Sequence, residues 1–394
     1  MIHRTHLQRF MDATQGGLVV LTAFDEVQWS GDMAVPFVQE SNFWWLTGIE
    51  QPGWKAIIDS RRRSLVLVRP DRSETQRLFD GDISDDKVIA LNGAIEVISD
   101  TGLESYLRRL ARHHTVVQTV YDQREYDFVS NPAQHDLHSQ LGRIFSSVQD
   151  CRQVLDTLRA IKSEGEIAAI RKAIALTITS FEAIRKQLES YRYEYEIEAD
   201  MTRVFRRANA QHAYRPIVAS GSRAVTLHYI ANGARLAKRQ PLLVDVGARV
   251  DGYAADITRT YCLKPTKRQQ QVHAAVENAH RRIIALLGPN LLVAEYIHQV
   301  DEIMKDALVE LGLLEDRNDT KTYRNYFPHA ISHGLGIDVH DSLGAPRYFQ
   351  PGMVLTVEPG IYIKEEHIGV RIEDDILITT DGHENLSRAL STSL

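Results

Sequence analysis

Leu243-Val244-Asp245-Val246-Gly247, running through Asp251-Gly252 to Ala255-Asp256-Ile257-Thr258-Arg259-Thr260, is the stretch that decides how this chain is read. Asp-Gly between two β-branched runs is a strong hairpin signal, because the tight turn that suits paired strands needs positive φ at both central residues. Side chains alternate in facing along a strand. Across an even-numbered loop, residues whose numbers sum to an odd value therefore share a face. Asp245 and Asp256 meet that condition. They are expected to be opposite or diagonal neighbours on two paired strands, within reach of a shared ion.

The same parity relates Glu358, in Val357-Glu358-Pro359-Gly360, to Glu373, in Arg371-Ile372-Glu373-Asp374-Asp375. These two are expected on strands over 354–363 and 370–378, joined by the polar Lys364-Glu365-Glu366-His367. Arg371 precedes Glu373 by two residues, shares its face, and is placed to orient a ligand carboxylate or hold a substrate group. A position at an exposed strand end explains any one of these acids alone. Four of them embedded in apolar strands would repel one another and take up protons unless a cation lay among them.

Between the two acidic pairs comes Pro328-His329-Ala330-Ile331-Ser332-His333-Gly334-Leu335-Gly336-Ile337-Asp338-Val339-His340, where glycine lets backbone approach a ligand closely. A further histidine, His228, lies in Val225-Thr226-Leu227-His228-Tyr229. His333 is taken as the nitrogen ligand, and His228, His329 and His340 as proton carriers or hydrogen-bond donors to substrate. Four carboxylates and one imidazole suit a pair of divalent ions such as manganese better than a lone structural zinc. Such a pair holds a bridging hydroxide at neutral pH and stabilises the oxyanion of a hydrolytic transition state.

At 394 residues the chain exceeds the size at which a single core usually stops growing, so two domains are expected, 1–155 and 156–394. Hydrophobic and charged contents of 43% and 25% are those of an ordinary soluble protein. A net charge of −6 spread along the chain argues against a nucleic-acid surface. Cys151 and Cys262 are far apart in sequence and form no CxxC pattern. With neither a signal-peptide pattern nor an apolar run of membrane-spanning length, the expectation is a cytoplasmic protein with no membrane association.

The first part alternates strand-like runs (Leu18–Thr22, Ser64–Val68 and 115–121) with a helical pattern over 103–111, as in a small α/β domain. In Pro36-Phe37-Val38-Gln39-Glu40-Ser41-Asn42-Phe43-Trp44-Trp45-Leu46-Thr47-Gly48 the aromatic cluster fits a core, a subunit contact or a pocket rim. Ser163 and Glu166 form a capping box ahead of an amphipathic helix running to Leu188. Further helices are expected over 197–210, 267–287 and 294–312.

Taken together, these stretches resemble the pita-bread metallopeptidases, in particular the aminopeptidase P and prolidase branch, over nearly the whole chain. Gly252-Tyr253-Ala254-Ala255-Asp256-Ile257-Thr258-Arg259-Thr260 is similar to the family's aspartate hairpin, and Ser332-His333-Gly334-Leu335-Gly336 to its histidine segment. Val357-Glu358-Pro359-Gly360-Ile361-Tyr362 and Gly369-Val370-Arg371-Ile372-Glu373-Asp374 are similar to its two glutamate strands. The aromatic segment ending at Gly48 is similar to the branch's N-terminal domain. The resemblance implies an α+β chain, with a C-terminal pita-bread catalytic domain behind a smaller α/β N-terminal domain. It also implies two metal ions, usually manganese, with cobalt or zinc as alternatives. Asp245 would chelate one ion and His333 and Glu358 the other, with Asp256 and Glu373 bridging. His228, His329 and His340 would bind substrate or move protons, while Arg371 and Tyr362 would support the ligands. The implied reaction is hydrolysis of the Xaa-Pro bond of proline-containing peptides or dipeptides, with Glu358 accepting a proton. The implied assembly is a dimer or tetramer, with the aromatic segment, if exposed, at the contact. A non-catalytic scaffold on the same fold is the alternative, and such relatives lack the ligands that this chain retains.

Overall fold

Short apolar runs build the sheet of the first unit. Its strands are β1 (Leu18–Thr22), β2 (Lys55–Asp59), β3 (Ser64–Arg69), β4 (Glu96–Ser99), β5 (Val116–Thr119) and β6 (Ser147–Asp150), in the order β4-β3-β2-β1-β5-β6. The β1–β2 and β2–β3 pairs are antiparallel and the remaining pairs parallel. The interior of β1 to β3 is buried on both faces, which is why those runs read as continuously apolar rather than alternating. The helix Leu103–Leu110 lays Leu103, Leu107 and Leu110 on that sheet. The computed structural model describes residues 2–121 and 132–394, which fall into two compact units, Met1–Leu158 and Arg159–Leu394. The division falls inside the helix Arg152–Ala160 rather than in a linker.

Of the readings open to the aromatic segment, the core is the one found for its helical part, in the first unit. Glu40 caps the helix Ser41–Thr47 by accepting from the Phe43 N–H, and Phe43, Trp45 and Leu46 are all fully buried. The Trp45 ring stacks on His6 at 4.2 Å between centroids. The exposed large apolar side chains of this region are Val38, within the segment, and Val27, Trp29, Met33 and Val35, on and beside the hairpin formed by Gln28–Ser30 and Met33–Ala34. All four tryptophans, Trp29, Trp44, Trp45 and Trp54, lie in the first unit.

In the second unit, Ser163 and Glu166 do form a capping box, and the helix Glu164–Arg185 follows. Helices Glu194–Arg207, Lys267–Ile284 and Val293–Glu310 come next, the first of them starting three residues before its expected position. The last two pack their apolar stripes, Val272, Val276 and Ile283 with Val300 and Met304, against the strands that carry the acidic residues. Among the described residues no helix is long and apolar enough to cross a membrane.

Two β-ribbons position the site. One is an antiparallel sheet of β7 (Ile217–Ser220), β8 (Leu242–Val246) and β9 (Ile257–Tyr261). The other combines β10 (Val354–Val357), β13 (Asp374–Ile378) and β14 (His383–Asn385) with the pair β11 (Gly360–Ile363) and β12 (Ile368–Arg371). Each ribbon breaks where its acids sit. Beyond Val246 the chain continues as Ala248–Val250 and Tyr253–Ala254 in another sheet, around a turn at Asp251 (φ 50°) and Gly252 (φ 83°). Gly247 is required at the crossing, because a Cβ there would lie 1.7 Å from the Ala255 carbonyl oxygen.

The expectation of unbroken strands over 354–363 and 370–378 is corrected in the same way. Pro359 has no N–H to give a ladder, and the Glu373 N–H turns to the Thr258 carbonyl at 3.1 Å, joining the two ribbons. Register is the same on both sides of the break (Val357 pairs with Asp374 and Gly360 with Arg371), which leaves Glu358 opposite Glu373.

Candidate metal centre

The cross-strand partner of Asp245 is Thr258, so Asp256, two residues earlier on the same side, is its diagonal neighbour. Thr258 in turn bridges to Glu373, whose own opposite position is Glu358. Pairing alone thus brings four carboxylates from two ribbons to one place. His333 is added by the histidine segment, where its N–H donates to Thr356 Oγ1 at 3.1 Å and its carbonyl accepts from the Thr356 N–H.

Nine of the ten residues singled out from the sequence line one cavity of about 340 Å³: Asp245, Asp256, His333, Glu358 and Glu373, with His228, His329, His340 and Arg371. The tenth, Tyr362, is buried behind the wall and donates from its hydroxyl to His329 Nε2 at 3.0 Å. Arg371 reaches across this space. Its guanidinium donates to the Tyr362 hydroxyl oxygen at 2.9 Å, to Thr258 Oγ1 at 3.2 Å and to the Asp245 carboxylate. The Thr258 hydroxyl passes the chain on, donating to Glu373 at 2.6 Å.

Sequence reasoning missed Tyr214. Its hydroxyl lies 2.5 Å from Asp245 and 2.6 Å from Asp256. One hydroxyl proton serves only one carboxylate, so the second contact calls for a proton on the other acid. Tyr214 lies in the short segment between Gln211–His212 and β7, and no periodicity marks it. A weak signal is its place just ahead of the apolar strand whose Ile217 pairs with Asp245. Thr258 and Thr356 were likewise not assigned as carboxylate partners. Behind the acids, Arg259 donates to the Glu373 carbonyl and to Asp374, both at 2.6 Å, and Asp375 accepts from the Asp256 N–H at 3.2 Å.

The electrostatics follow from burial and crowding. Desolvation, with added repulsion from Asp245 and Asp375, pushes the Asp256 carboxyl well above its ordinary range. Glu373 is raised by burial and then by Asp256 and Glu358. Glu358 rises to about 7, mainly through burial, with Arg371 opposing. Burial lowers His329 and His333 to about 4, so both are neutral imidazoles at neutral pH. The Nδ1–H of His333 donates to the Gly334 carbonyl at 3.0 Å. Its Nε2 lone pair then faces Asp256 at 3.5 Å and Glu358 at 3.4 Å, as expected of a ligating imidazole. Donor atoms of Asp256, His333 and Glu373 all lie within 4.8 Å of one another. Lone pairs facing carboxylates, with no donor between them, fit a divalent cation. The exposed members of the lining are Arg215, His228, Ile230 and His340, the last with its ring edge-on to His333 at 4.4 Å. Desolvation, and then His228, lowers the His340 pKa.

A cavity walled by convergent carboxylates and a neutral imidazole, on paired β-ribbons backed by helices, defines a metal-dependent hydrolase of pita-bread type. Residues 168–380 match metallopeptidase family M24, and the chain belongs to that family. Residues 3–121 match the aminopeptidase P N-terminal domain, so the α+β chain has the two-domain aminopeptidase P architecture. The Xaa-Pro aminopeptidase of Escherichia coli K12 is 30% identical over 402 residues, covering 95% of this chain and 91% of that protein. Human Xaa-Pro aminopeptidase 3 is 30% identical over 391 residues, covering 89% of this chain and 74% of that protein. The solved structure of Escherichia coli aminopeptidase P with the inhibitor Pro-Leu superposes with a TM-score of 0.87 at 29% identity, covering 99% of this chain and 96% of that one. Proline aminopeptidase P II of Yersinia pestis does so with a TM-score of 0.87 at 29% identity, covering 100% and 97%.

Proposed function

We propose that this protein hydrolyses the bond between the first residue and a following proline at the N-terminus of peptides. The observation that carries the reading is the convergence of Asp245, Asp256, His333, Glu358 and Glu373 on one cavity, in a chain whose relatives are named for Xaa-Pro cleavage. Those five residues would hold two divalent ions. Four carboxylates and an imidazole supply more donor atoms than one six-coordinate ion takes, and oxygen-rich donors favour manganese, with cobalt or zinc as alternatives. Bound there, a pair of such ions polarises a carbonyl and lowers the pKa of water.

The protein's own groups supply the rest. Glu358, which lines the cavity beside His333 at 3.4 Å, is placed to take a proton from the attacking water and return it to the leaving nitrogen. That nitrogen is a tertiary amide without an N–H, so a peptidase that relied on binding the scissile N–H would lose its contact. His228 and His340, on the exposed side of the cavity, donate to the substrate carbonyl as its oxygen gains charge. Arg371 and Tyr362 act as positioning residues. The guanidinium holds Asp245 and, through Thr258, Glu373. The His329 ring is fixed by Nδ1–H donation to the Ala330 carbonyl at 2.8 Å and by accepting from Tyr362 at Nε2.

The alternative within the class is cleavage of Xaa-Pro dipeptides only. The aminopeptidase names of the relatives favour the longer substrates. Parallel assays of Xaa-Pro and Xaa-Pro-Xaa peptides test this, and turnover confined to the dipeptide would refute the aminopeptidase reading. Glu373→Ala should release metal and abolish turnover. A variant that stays active with two bound ions would overturn the assignment. We further propose a cytoplasmic location, supported by two free cysteines, and self-association, supported by the exposed apolar residues around Trp29.

A further inference from the structure

The wall of the metal cavity that carries His228 has little regular structure of its own. After a short helical turn over Gly221–Val225, the chain from Thr226 to Pro241 forms neither helix nor strand, apart from one bridge of Arg235 to Tyr193. Leu227, His228 and Ile230 of this loop line the cavity. The His228 side chain is exposed and makes no hydrogen bond among the described residues. The anchorage of the loop therefore sets where its imidazole stands.

That anchorage centres on a buried carboxylate. Glu194, the first residue of the helix Glu194–Arg207, is fully buried. Its Oε1 accepts from the Ser220 N–H at 2.8 Å and the Ser220 hydroxyl at 2.6 Å, where the loop leaves β7. Its Oε2 accepts from the Tyr229 hydroxyl at 2.9 Å, beside His228, and from the Ala234 N–H at 2.8 Å. Each oxygen thus faces a backbone N–H, which can only donate, so both oxygens have to accept. A carboxylate meets that demand and a carboxamide does not. Glu198, four residues on and so on the same helix face, accepts from Asn232 Nδ2 at 2.8 Å. Asn232, 1% exposed, also bonds the edge of β7, taking the Val218 N–H at 2.9 Å and giving to the Pro216 carbonyl at 2.9 Å. Neither acid lines the metal cavity. Full burial of a carboxylate is costly unless its partners are all in place, and here those partners bracket the segment that bears His228.

We propose that Glu194 is a positioning residue for peptide cleavage, acting through Tyr229 and the two ends of the loop to hold the His228 imidazole where the substrate carbonyl oxygen gains charge. This role for Glu194 rests on the one assigned to His228 above.

Steady-state kinetics of the Mn2+-loaded protein on an Xaa-Pro-Xaa peptide tests this with Glu194→Gln, Tyr229→Phe, His228→Ala and the two double variants that contain His228→Ala. Loss of a donor to a developing oxyanion lowers kcat by about 10²–10³-fold, which is the fall expected for His228→Ala. Glu194→Gln turns an amide NH2 towards one pair of donors, and a misplacement of about 1 Å costs about 10²-fold. Its kcat should fall by about 10–100-fold, with KM changed by less than about threefold. Tyr229→Phe deletes one donor of the four, should lower kcat by about three- to tenfold, and remains a test where Glu194→Gln does not fold. In the His228→Ala background each substitution should change kcat by less than about twofold, because its target is already gone. A merely structural role would lower kcat by the same factor in both backgrounds. Calorimetric Mn2+ affinity of the single variants should be that of wild type. Additive losses in the double variants, wild-type kcat in both Glu194→Gln and Tyr229→Phe, or a weakened Mn2+ affinity that accounts for the loss would each overturn the positioning role alone. Wild-type kcat in His228→Ala would instead remove the role of His228, and that of Glu194 with it.

Discussion

Removing one oxygen atom tests the construction of the metal centre most sharply. Tyr214→Phe keeps the ring and its packing and deletes only the hydroxyl that touches Asp245 at 2.5 Å and Asp256 at 2.6 Å. A hydrogen bond to a charged group contributes roughly 1.5–3 kcal/mol, and loss of a partner that orients a ligand weakens metal binding by about 10–100-fold. At 1.4 kcal/mol per factor of ten, the second range corresponds to about 1.4–2.8 kcal/mol, so two independent routes agree. Titrating Mn2+ into metal-free wild type and variant by calorimetry should therefore show a dissociation constant raised by that factor, with turnover falling in parallel at limiting metal. The metal-loaded variant should melt roughly 3–10 °C lower, at about 2–4 °C per kcal/mol for a unit of this size. The metal-free forms differ by the same hydroxyl contacts, so the effect on the ions is read as the rise in melting temperature on adding Mn2+, which should be smaller in the variant than in wild type. A variant that binds Mn2+ as tightly as wild type would refute the reasoning, because the hydroxyl would then bear on neither carboxylate in the loaded enzyme.

Three further outcomes follow from groups around the centre. Arg259→Ala leaves Asp374 as a buried charge without its guanidinium partner at 2.6 Å; it should destabilise the second unit by about 3–5 kcal/mol, readable by thermal or urea unfolding monitored by circular dichroism. Gly247→Ala drives a methyl to 1.7 Å from the Ala255 oxygen, so metal binding and turnover should collapse together; a variant with wild-type activity would contradict the need for glycine at the strand crossing. Burial lowers His273 below its ordinary pKa of 6.5, and Glu277 opposes that only in part. The unfolded chain then takes up this proton first as the pH falls. The associated stability is complete above about pH 6.5 and is lost progressively as the pH drops through the folded-state value, at about 1.4 kcal/mol per unit of displacement. His273→Leu should accordingly flatten the fall in melting temperature between pH 6.5 and 4 in metal-free protein, and a slope identical to wild type would dismiss this histidine as a source of acid sensitivity.

How much of this was legible beforehand depends on whether a feature is local. The neighbourhood of Asp245 and Asp256 follows from the turn at Asp251-Gly252 and strand parity alone, since a one-residue slip would turn every side chain to the other face. Glu358 and Glu373 obey the same arithmetic even though both strands break beside them. The breaks themselves were not legible. They arise because Gly247 crosses Ala255, and because the Glu373 N–H finds a carbonyl on the other ribbon, and each is a tertiary contact with no sequence period. Tyr214 was missed for the same reason, as its two partners lie 31 and 42 residues away in sequence. The aromatic segment was ambiguous because a seven-residue helix is too short for periodicity to separate a buried face from an exposed one.

The distribution of indole rings makes the molecule its own two-channel instrument. With every tryptophan in Met1–Leu158, emission excited at the indole band tracks the integrity of that unit alone. The metal-dependent stability of Arg159–Leu394 has to be read from its tyrosines, among them Tyr214, Tyr296 and Tyr362. A chelator that loosens only the catalytic half should leave the fluorescence melting curve in place while moving the near-ultraviolet dichroism curve to lower temperature. The separation between the two curves would measure, on the unmodified protein, how much stability the ions lend to the half that binds them.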